Sequence, residues 1–278
     1  MRALIPGLPR FMPGSVWLTG AGPGDPGLLT LLALHALEEA DVVVYDALVS
    51  EAILALAQGG TARIFAGKRG GKPSATQADI SLRLIALARE GKRVLRLKGG
   101  DPMVFGRGGE EALSLAAAGI PFRIVPGVSA GIGGLAYAGI PLTHRDSNSV
   151  VTFLTGHDAA GIVPDEIDWQ AVARGSPVLV IYMALKHLGT IAERLIAAGR
   201  PRTEPVAIVA DATRPSQRVV ETTLERAAAD AAEAALKPPA IVAVGEVVRL
   251  RVHLDWLGGI AQARAARAAL PASAKSLD

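Results

Sequence analysis

Three short stretches of the chain hold residues whose types and spacing could do chemistry. In "TGAGPGDPGLLT" (19–30), Gly22-Pro23-Gly24-Asp25-Pro26-Gly27 satisfies G-x-G-x-x-G. In dinucleotide-binding folds that spelling brings backbone N–H groups and a helix N-terminus to a pyrophosphate. "KGGDPMVFGRGGEE" (98–111) repeats the glycines, the aspartate and the proline. Gly127-Val128-Ser129-Ala130-Gly131 spells G-x-S-x-G, the turn that presents a nucleophilic serine in hydrolases. Beside these, Asp46 and Lys68 close the runs "VVVYD" and "ARIFAGK". If those runs are neighbouring strands, an acid and a base face one rim, the pairing that general acid–base catalysis needs.

Each feature also has a purely structural reading. Proline carries no N–H, and Pro23 and Pro26 occupy positions of the first motif, while Asp25 puts a carboxylate where phosphate charge would gather. Asp46 nonetheless lies near where a ribose-binding acid would fall. The loop is thus open to a nicotinamide cofactor, to a tight turn, or to another ligand held close to the backbone. Gly-Asp-Pro is an ordinary strand-ending turn, yet its repetition favours one pocket built from two similar strand ends. Glu110 and Glu111 fit first-turn acids facing a helix dipole. Pro126 and the lack of an HGGG-type stretch weigh against a serine hydrolase. Asp46 could cap the following helix, and Lys68 could be a solvated loop cation. The five histidines show no H-x-x-x-H or H-E-x-x-H spacing, so no metal site is expected. His35 reads as packed or solvent-facing on an amphipathic helix, and His144 and His157 as loop residues able to meet a ligand.

The elements that must position these residues follow from periodicity. "SVWLTG", "DVVVYD", "ARIFAG", "RVLRLKGG" and "FRIVPG" are continuous apolar runs, as strands buried on both faces should be. Helical patterns lie between them, and Gly91 and Gly119 stand where helices would stop in a left-handed cap. This βαβ rhythm predicts a parallel sheet covered by helices. Periodicity lapses over 138–149, which marks a boundary between an N-terminal α/β domain (15–140) and a C-terminal one (149–255). The second half offers "SVVTFLTGH", "SPVLVIYMA", "EPVAIVADAT", "QRVVETTL" and "PAIVAVGEVV", with helices over "LKHLGTIAERLIAAG" and 224–236. Adjacent runs there could pair antiparallel, so this sheet is expected to be mixed. Residues 1–14 and 258–278 are expected to fray.

Composition narrows the function. The 278 residues are 50% hydrophobic and 20% charged, enough for one large or two medium domains. With no cysteine, disulfides, thiolate nucleophiles, iron–sulfur ligation and cysteine zinc sites are excluded. A formal charge of +3 with mixed signs and 4% aromatics does not suit nucleic acid. The start lacks a signal-like apolar region and no run of about 18 apolar residues appears, which predicts a soluble cytoplasmic protein outside the membrane. Cations from Arg63 to Arg107 (Lys68, Arg69, Lys72, Lys92, Arg93, Arg96 and Lys98 among them) recur at the ends of apolar runs. Facing one cleft, they would attract a polyanionic small molecule.

Taken together, "GAGPGDPGLLT", "VVVYDALV", "GKRGG", "RLKGGDPMVFGRGGEE", "PGVSAGIGGLAYAGIPLTHR", "VTFLTGH" and "VGEVV" resemble the tetrapyrrole methyltransferase family over roughly residues 15–255. The resemblance implies two α/β domains, usually in a homodimer, with S-adenosylmethionine bound in the inter-domain cleft and S-adenosylhomocysteine as its product. Carried over by position, the cofactor residues would be Pro23, Gly99, Gly100, Asp101, Val104, Ser129 and Ala130, with Met183, Ala212 and Ala240 from the second domain. The implied reaction adds two methyl groups to uroporphyrinogen III, at carbons two and seven, giving precorrin-2 through precorrin-1 in cobalamin or siroheme synthesis. Asp46 and Lys68 match residues assigned as proton acceptor and donor, and the Arg63–Arg107 cations would answer the substrate's carboxylates. Met103 stands where the family commonly has Phe, and Ser129 where Thr is usual. About 14 residues precede the first strand, so dehydrogenase and ferrochelatase activities are not expected. Another precorrin methyltransferase, and from a different class an NAD(P)-dependent oxidoreductase, remain the alternatives at this point.

Overall fold

The computed structural model of the chain describes residues 7–67, 77–158 and 161–259. It divides into two compact units, one running to Gly133 and including Thr213–Pro215, the other formed by Gly134–Ala212 and the residues from Ser216 onward. Lys68, Arg69 and Lys72 lie outside the described residues, as do 1–6 and 260–278 of the ends expected to fray. The described part of the first end does not fray: Phe11 is buried and stacks on Trp17 at 4.5 Å, because its apolar ring completes that core.

The first unit alternates β1 (Val16–Gly20), α1 (Leu31–Glu39), β2 (Val42–Tyr45), α2 (Glu51–Leu54), β3 (Ala62–Phe65), α3 (Gln77–Arg89), β4 (Val94–Lys98), α4 (Gly108–Ala117) and β5 (Phe122–Val125), then leads into α5 (Ala130–Tyr137). Its sheet has the order β3-β2-β4-β1-β5, with every neighbour parallel. From β1 to β3 the chain steps toward one edge, and from β3 to β5 it steps back across the sheet. Right-handed crossovers therefore send α1 and α2 to one face and α3 and α4 to the other. The packing agrees. Ala33, Leu37, Ile53 and Leu54 join Trp17, Val43, Leu95 and Leu97 in one core. Ile80, Leu84, Ala112 and Leu115 join Val16, Leu18, Val44 and Val94 in another. The strands β1, β2 and β4 are covered on both faces, as continuous apolar runs require. The edge strands β3 and β5 were expected to be buried in the same way but are largely exposed, Phe122 and Ile124 by 39% and 37%, because each has a neighbour on one side only.

Both glycine stops hold. Gly91 and Gly119 have φ of +78° and +68°. Lys92 N donates to Leu87 O and Gly91 N to Ala88 O, and Ile120 N to Leu115 O and Gly119 N to Ala116 O, the paired bonds of a Schellman end.

The second unit contains β6 (Val151–Thr155), α6 (Trp169–Gly175), β7 (Val178–Tyr182), α7 (Leu188–Ala197), β8 (Pro205–Ala210), β9 (Arg218–Thr223), α8 (Ala227–Glu233), β10 (Ala240–Val244) and α9 (Arg251–Leu254). The sheet order is β6-β7-β10-β8-β9 and the sheet is mixed: β6 and β7 are parallel, and the other neighbours are antiparallel. Leu179, Ile181, Val206, Ile208, Val242 and Val244 pack against Leu188, Ile191 and Leu195 of α7 and Ala227 and Ala231 of α8. Helix α6 has no counterpart among the sequence expectations. It is a seven-residue helix, capped by Asp168, whose carboxylate accepts from Ala171 N at 2.9 Å. Among the described residues no helix is long and apolar enough to cross a membrane.

Candidate active site

The topology of the first sheet singles out the exit of β4. Its chain leaves toward α4 on one face, whereas its neighbours β1 and β2 leave toward α1 and α2 on the other. The 99–107 loop therefore lies between strand ends whose chains turn to the opposite face, the position at which ligands bind in such sheets. On one side, Gly22 and Gly100 form a short antiparallel bridge, Gly22 N to Gly100 O at 3.1 Å and Gly100 N to Gly22 O at 2.8 Å. The two Gly-Asp-Pro loops, alike in sequence, thus touch in space. On the other side, Gly99 N approaches the Asp46 carboxylate at 3.3 and 3.4 Å.

Close approach explains the glycines. A Cβ on Gly20 would lie 2.6 Å from both Gly100 O and Gly127 Cα, so main chain packs on main chain where β1, β4 and β5 end. Gly100, at φ +67°, is different: a Cβ there would meet only Ser129 Cα and Ala130 N, each at 3.9 Å. Its free face looks onto the start of α5. Asp101 fastens this arrangement, with one carboxylate oxygen accepting from Met103 N (2.7 Å) and the other from Gly127 N (2.9 Å).

The dinucleotide spelling in the first loop has no phosphate to serve. Gly22 N is spent on Gly100 O, Gly27 N on Asp25 Oδ1 at 2.7 Å, and Leu28 N on Asp25 O. Asp25 caps a 3-10 turn at Pro26–Leu28, and α1 begins only after Thr30, which caps its own helix. A pyrophosphate needs such donors free.

Beneath the β4 exit sits a buried ionic cluster. Glu111 Oε1 accepts from Arg96 Nε at 3.0 Å, Lys98 Nζ at 3.1 Å and Gln77 Nε2 at 2.9 Å. Arg96 and Lys98 are 2% and 4% exposed. Burial, followed by the charge of Arg96, holds the lysine below its usual value, against the opposing pull of Glu111 and Asp46. Other cations expected to answer a polyanion are also paired: Arg93 with Asp41 (2.6 Å), Arg107 with Glu110 (2.6 Å) and Arg63 with Glu51 (3.3 Å). Arg96 and Lys98 are therefore part of the fold's interior instead of a cationic rim. Glu111 lies in the first turn of α4, as expected, and is in addition the buried counter-charge of this cluster.

Of the two residues expected to act as acid and base, Asp46 follows β2 and accepts from Leu48 N at 2.9 Å, while Lys68 lies outside the described residues. Ser129 is buried and immediately precedes α5. Three of the histidines meet main-chain groups: His35 Nε2 lies 3.0 Å from Pro9 O, His157 Nδ1 2.8 Å from Asp158 O, and His144 Nδ1 accepts from Asp146 N at 3.4 Å. Val104 is half-buried, and Pro23 lies 3.3 Å from where a Cβ on Gly133 would stand.

In the second unit the three expected residues share one end of the sheet. Met183 follows the last residue of β7, Ala212 follows β8, and Ala240 opens the antiparallel β10, with Ala240 opposite Ala210 and Ile241 opposite Tyr182. Met183, Asp211 and Thr213 have φ of +55°, +48° and +65°. Left-handed backbone at residues other than glycine costs about 1–3 kcal/mol each and persists where surrounding structure enforces it, commonly at functional sites.

The parallel sheet with paired Gly-Asp-Pro loops and the mixed second sheet define a class. The family model of tetrapyrrole (corrin/porphyrin) methylases matches residues 15–228, and the chain belongs to that family. Within it, the chain is 67% identical over 257 residues to uroporphyrinogen-III C-methyltransferase of a Sinorhizobium species, covering 92% of each. It is 51% identical over 245 residues to siroheme synthase 1 of Yersinia enterocolitica; the match takes in 88% of this chain and only about half, 51%, of that longer protein. Among solved structures, uroporphyrin-III C-methyltransferase of Thermus thermophilus complexed with S-adenosylhomocysteine matches with a TM-score of 0.73 and 43% identity, over 85% of this chain and 99% of that one.

Proposed function

We propose that this chain catalyses S-adenosylmethionine-dependent methylation of uroporphyrinogen III, at carbons two and seven in turn, to give precorrin-2 by way of precorrin-1. The observation that carries the cofactor assignment is the open face of Gly100, bounded by the backbone of Ser129 and Ala130. It suits a ligand gripped by main chain and small side chains. The 67% identity to a uroporphyrinogen-III C-methyltransferase supports the substrate.

When bound, S-adenosylmethionine supplies a methyl carbon on a sulfonium, and the sulfur keeps the bonding pair as the electron-rich pyrrole carbon takes the methyl. The chain's own residues do the rest. Pro23, Gly99, Gly100, Asp101, Val104, Ser129 and Ala130 hold the cofactor in this proposal, joined by Met183, Ala212 and Ala240. The Asp101 carboxylate, with both oxygens on backbone N–H groups, shapes the loop. Asp46, beside Gly99, accepts the proton lost from the methylated macrocycle. Lys68 keeps the donor role that resemblance gives it. Assembly as a homodimer and residence in the cytoplasm belong to the same proposal.

A thermal-shift comparison tests the cofactor. S-adenosylhomocysteine at a hundred times its Kd should stabilise the native state by about 2.7 kcal/mol, and NAD(P) should not. Stabilisation by NAD(P) alone would overturn the assignment.

A further inference from the structure

The first unit borrows one segment from far along the chain, Thr213–Pro215, at the turn between β8 and β9. The segment meets two loops at once. Thr213 Oγ1 accepts from Asp25 N at 3.0 Å, and Arg214 Nη2 donates to Leu48 O at 2.7 Å. Leu48 N in turn donates to Asp46 Oδ1 at 2.9 Å. A single residue, Leu48, is thus held through its carbonyl by Arg214 and holds Asp46 through its amide.

Gly24 makes room for this contact. Its φ is +151°, and a Cβ there would lie 2.7 Å from Arg214 Cγ and 3.0 Å from Arg214 Nε. Gly24 O also accepts from Ser50 Oγ at 3.1 Å, which ties the 22–27 loop to the 46–50 turn. The left-handed backbone at Asp211 and Thr213 shows that the turn is held in a conformation ordinary side chains resist. Ser216 Oγ, which donates to Asp211 Oδ2 at 3.2 Å, helps fix it.

We propose that Arg214 is a positioning residue that fixes the Asp46 carboxylate by clamping the Leu48 peptide. The inference rests on the proton-acceptor role proposed above for Asp46. Among the described residues, Lys98 of β4 acts on that carboxylate through space, and Arg214 reaches its turn through the Leu48 carbonyl.

The test compares Arg214→Met, Arg214→Lys, Asp46→Asn and the double variant Asp46→Asn/Arg214→Met by methyl transfer to uroporphyrinogen III across pH, with melting temperatures measured in parallel. Arg214→Met should lower kcat about tenfold to a hundredfold, the scale of a small misplacement of a reacting group. The acid limb of its pH–rate profile should move upward, because a carboxylate that loses a fixed N–H donor becomes easier to protonate. Arg214→Lys should recover part of both effects, and the double variant should be no slower than Asp46→Asn. An unmoved acid limb in Arg214→Met, or a double variant whose losses multiply, would overturn the positioning role. Full activity in Asp46→Asn would instead remove Asp46 from the mechanism, a failure separable from the first. If Arg214→Met does not fold, Arg214→Lys still decides, since a lysine cannot reproduce the guanidinium geometry and should shift the limb in the same direction.

Discussion

At 0% exposure, Glu111 gives one carboxylate oxygen to Arg96, Lys98 and Gln77, while its Oε2 is buried without a hydrogen-bond partner among the described residues. One acid thus serves two buried cations, and burial together with the charge of Arg96 holds Lys98 below its usual pKa. Removing the acid strands both charges, which should cost about 3–5 kcal/mol in Glu111→Gln, read by urea unfolding at pH 7. Lys98→Met should cost less, since Glu111 keeps Arg96 and Gln77 as partners and no buried charge is left uncompensated. An equal cost in both variants would refute this division. The sign with pH follows. A depressed lysine pKa penalises the fold fully below the folded value and is relieved as pH rises through it toward the usual 10.5. The cost of Lys98→Met should be smallest near neutral pH and grow on the alkaline side. The signal for Glu111 was in the sequence: cations at alternate positions of "RLK", inside a strand buried on both faces, require a buried acid. Its first-turn position on α4, which the structure bears out, already explained an acid there without any tertiary contact, and this masked the buried partners.

Among elements, the central strands β1, β2 and β4 were legible because burial on both faces leaves continuous apolar runs, and the helix stops because glycine takes the left-handed position at Gly91 and Gly119 without steric cost. Helix α6 was not. Trp169, Val172 and Ala173 do pack on the second core, but seven residues are too short for a period to stand out. The bridge between Gly22 and Gly100 was half legible, since repetition of Gly-Asp-Pro pointed to one pocket without saying which N–H groups would be consumed in making it. The close approach of strand ends gives a sharp prediction. Gly20→Ala places a Cβ 2.6 Å from fixed backbone, and overpacking of this kind costs about 1–3 kcal/mol or more. Its melting temperature and its affinity for S-adenosylhomocysteine should both fall. Gly59→Ala, where a Cβ meets nothing within 4 Å, should leave both near wild type. A well-folded Gly20→Ala that binds the cofactor normally would show that this junction does not shape the site.

For the whole molecule, function was legible through long motifs rather than short ones. G-x-G-x-x-G and G-x-S-x-G each pointed to a wrong chemistry, because a few glycines specify a turn and not what the turn holds. "RLKGGDPMVFGRGGEE" was informative because it fixes a strand, a buried charge cluster, a glycine bridge and a helix start together. Thr213 and Arg214 could not be found this way. Their partners, Asp25 and Leu48, are 188 and 166 positions away, and no local pattern announces them. The central claim concerns a reaction, and one anaerobic incubation with uroporphyrinogen III and S-adenosylmethionine carrying a labelled methyl tests it, the product being read by absorbance and mass. The proposed function predicts a product that has gained two labelled methyl groups, with a singly methylated species appearing first. A product with no label, or with methyl groups added only to a different tetrapyrrole, would contradict it.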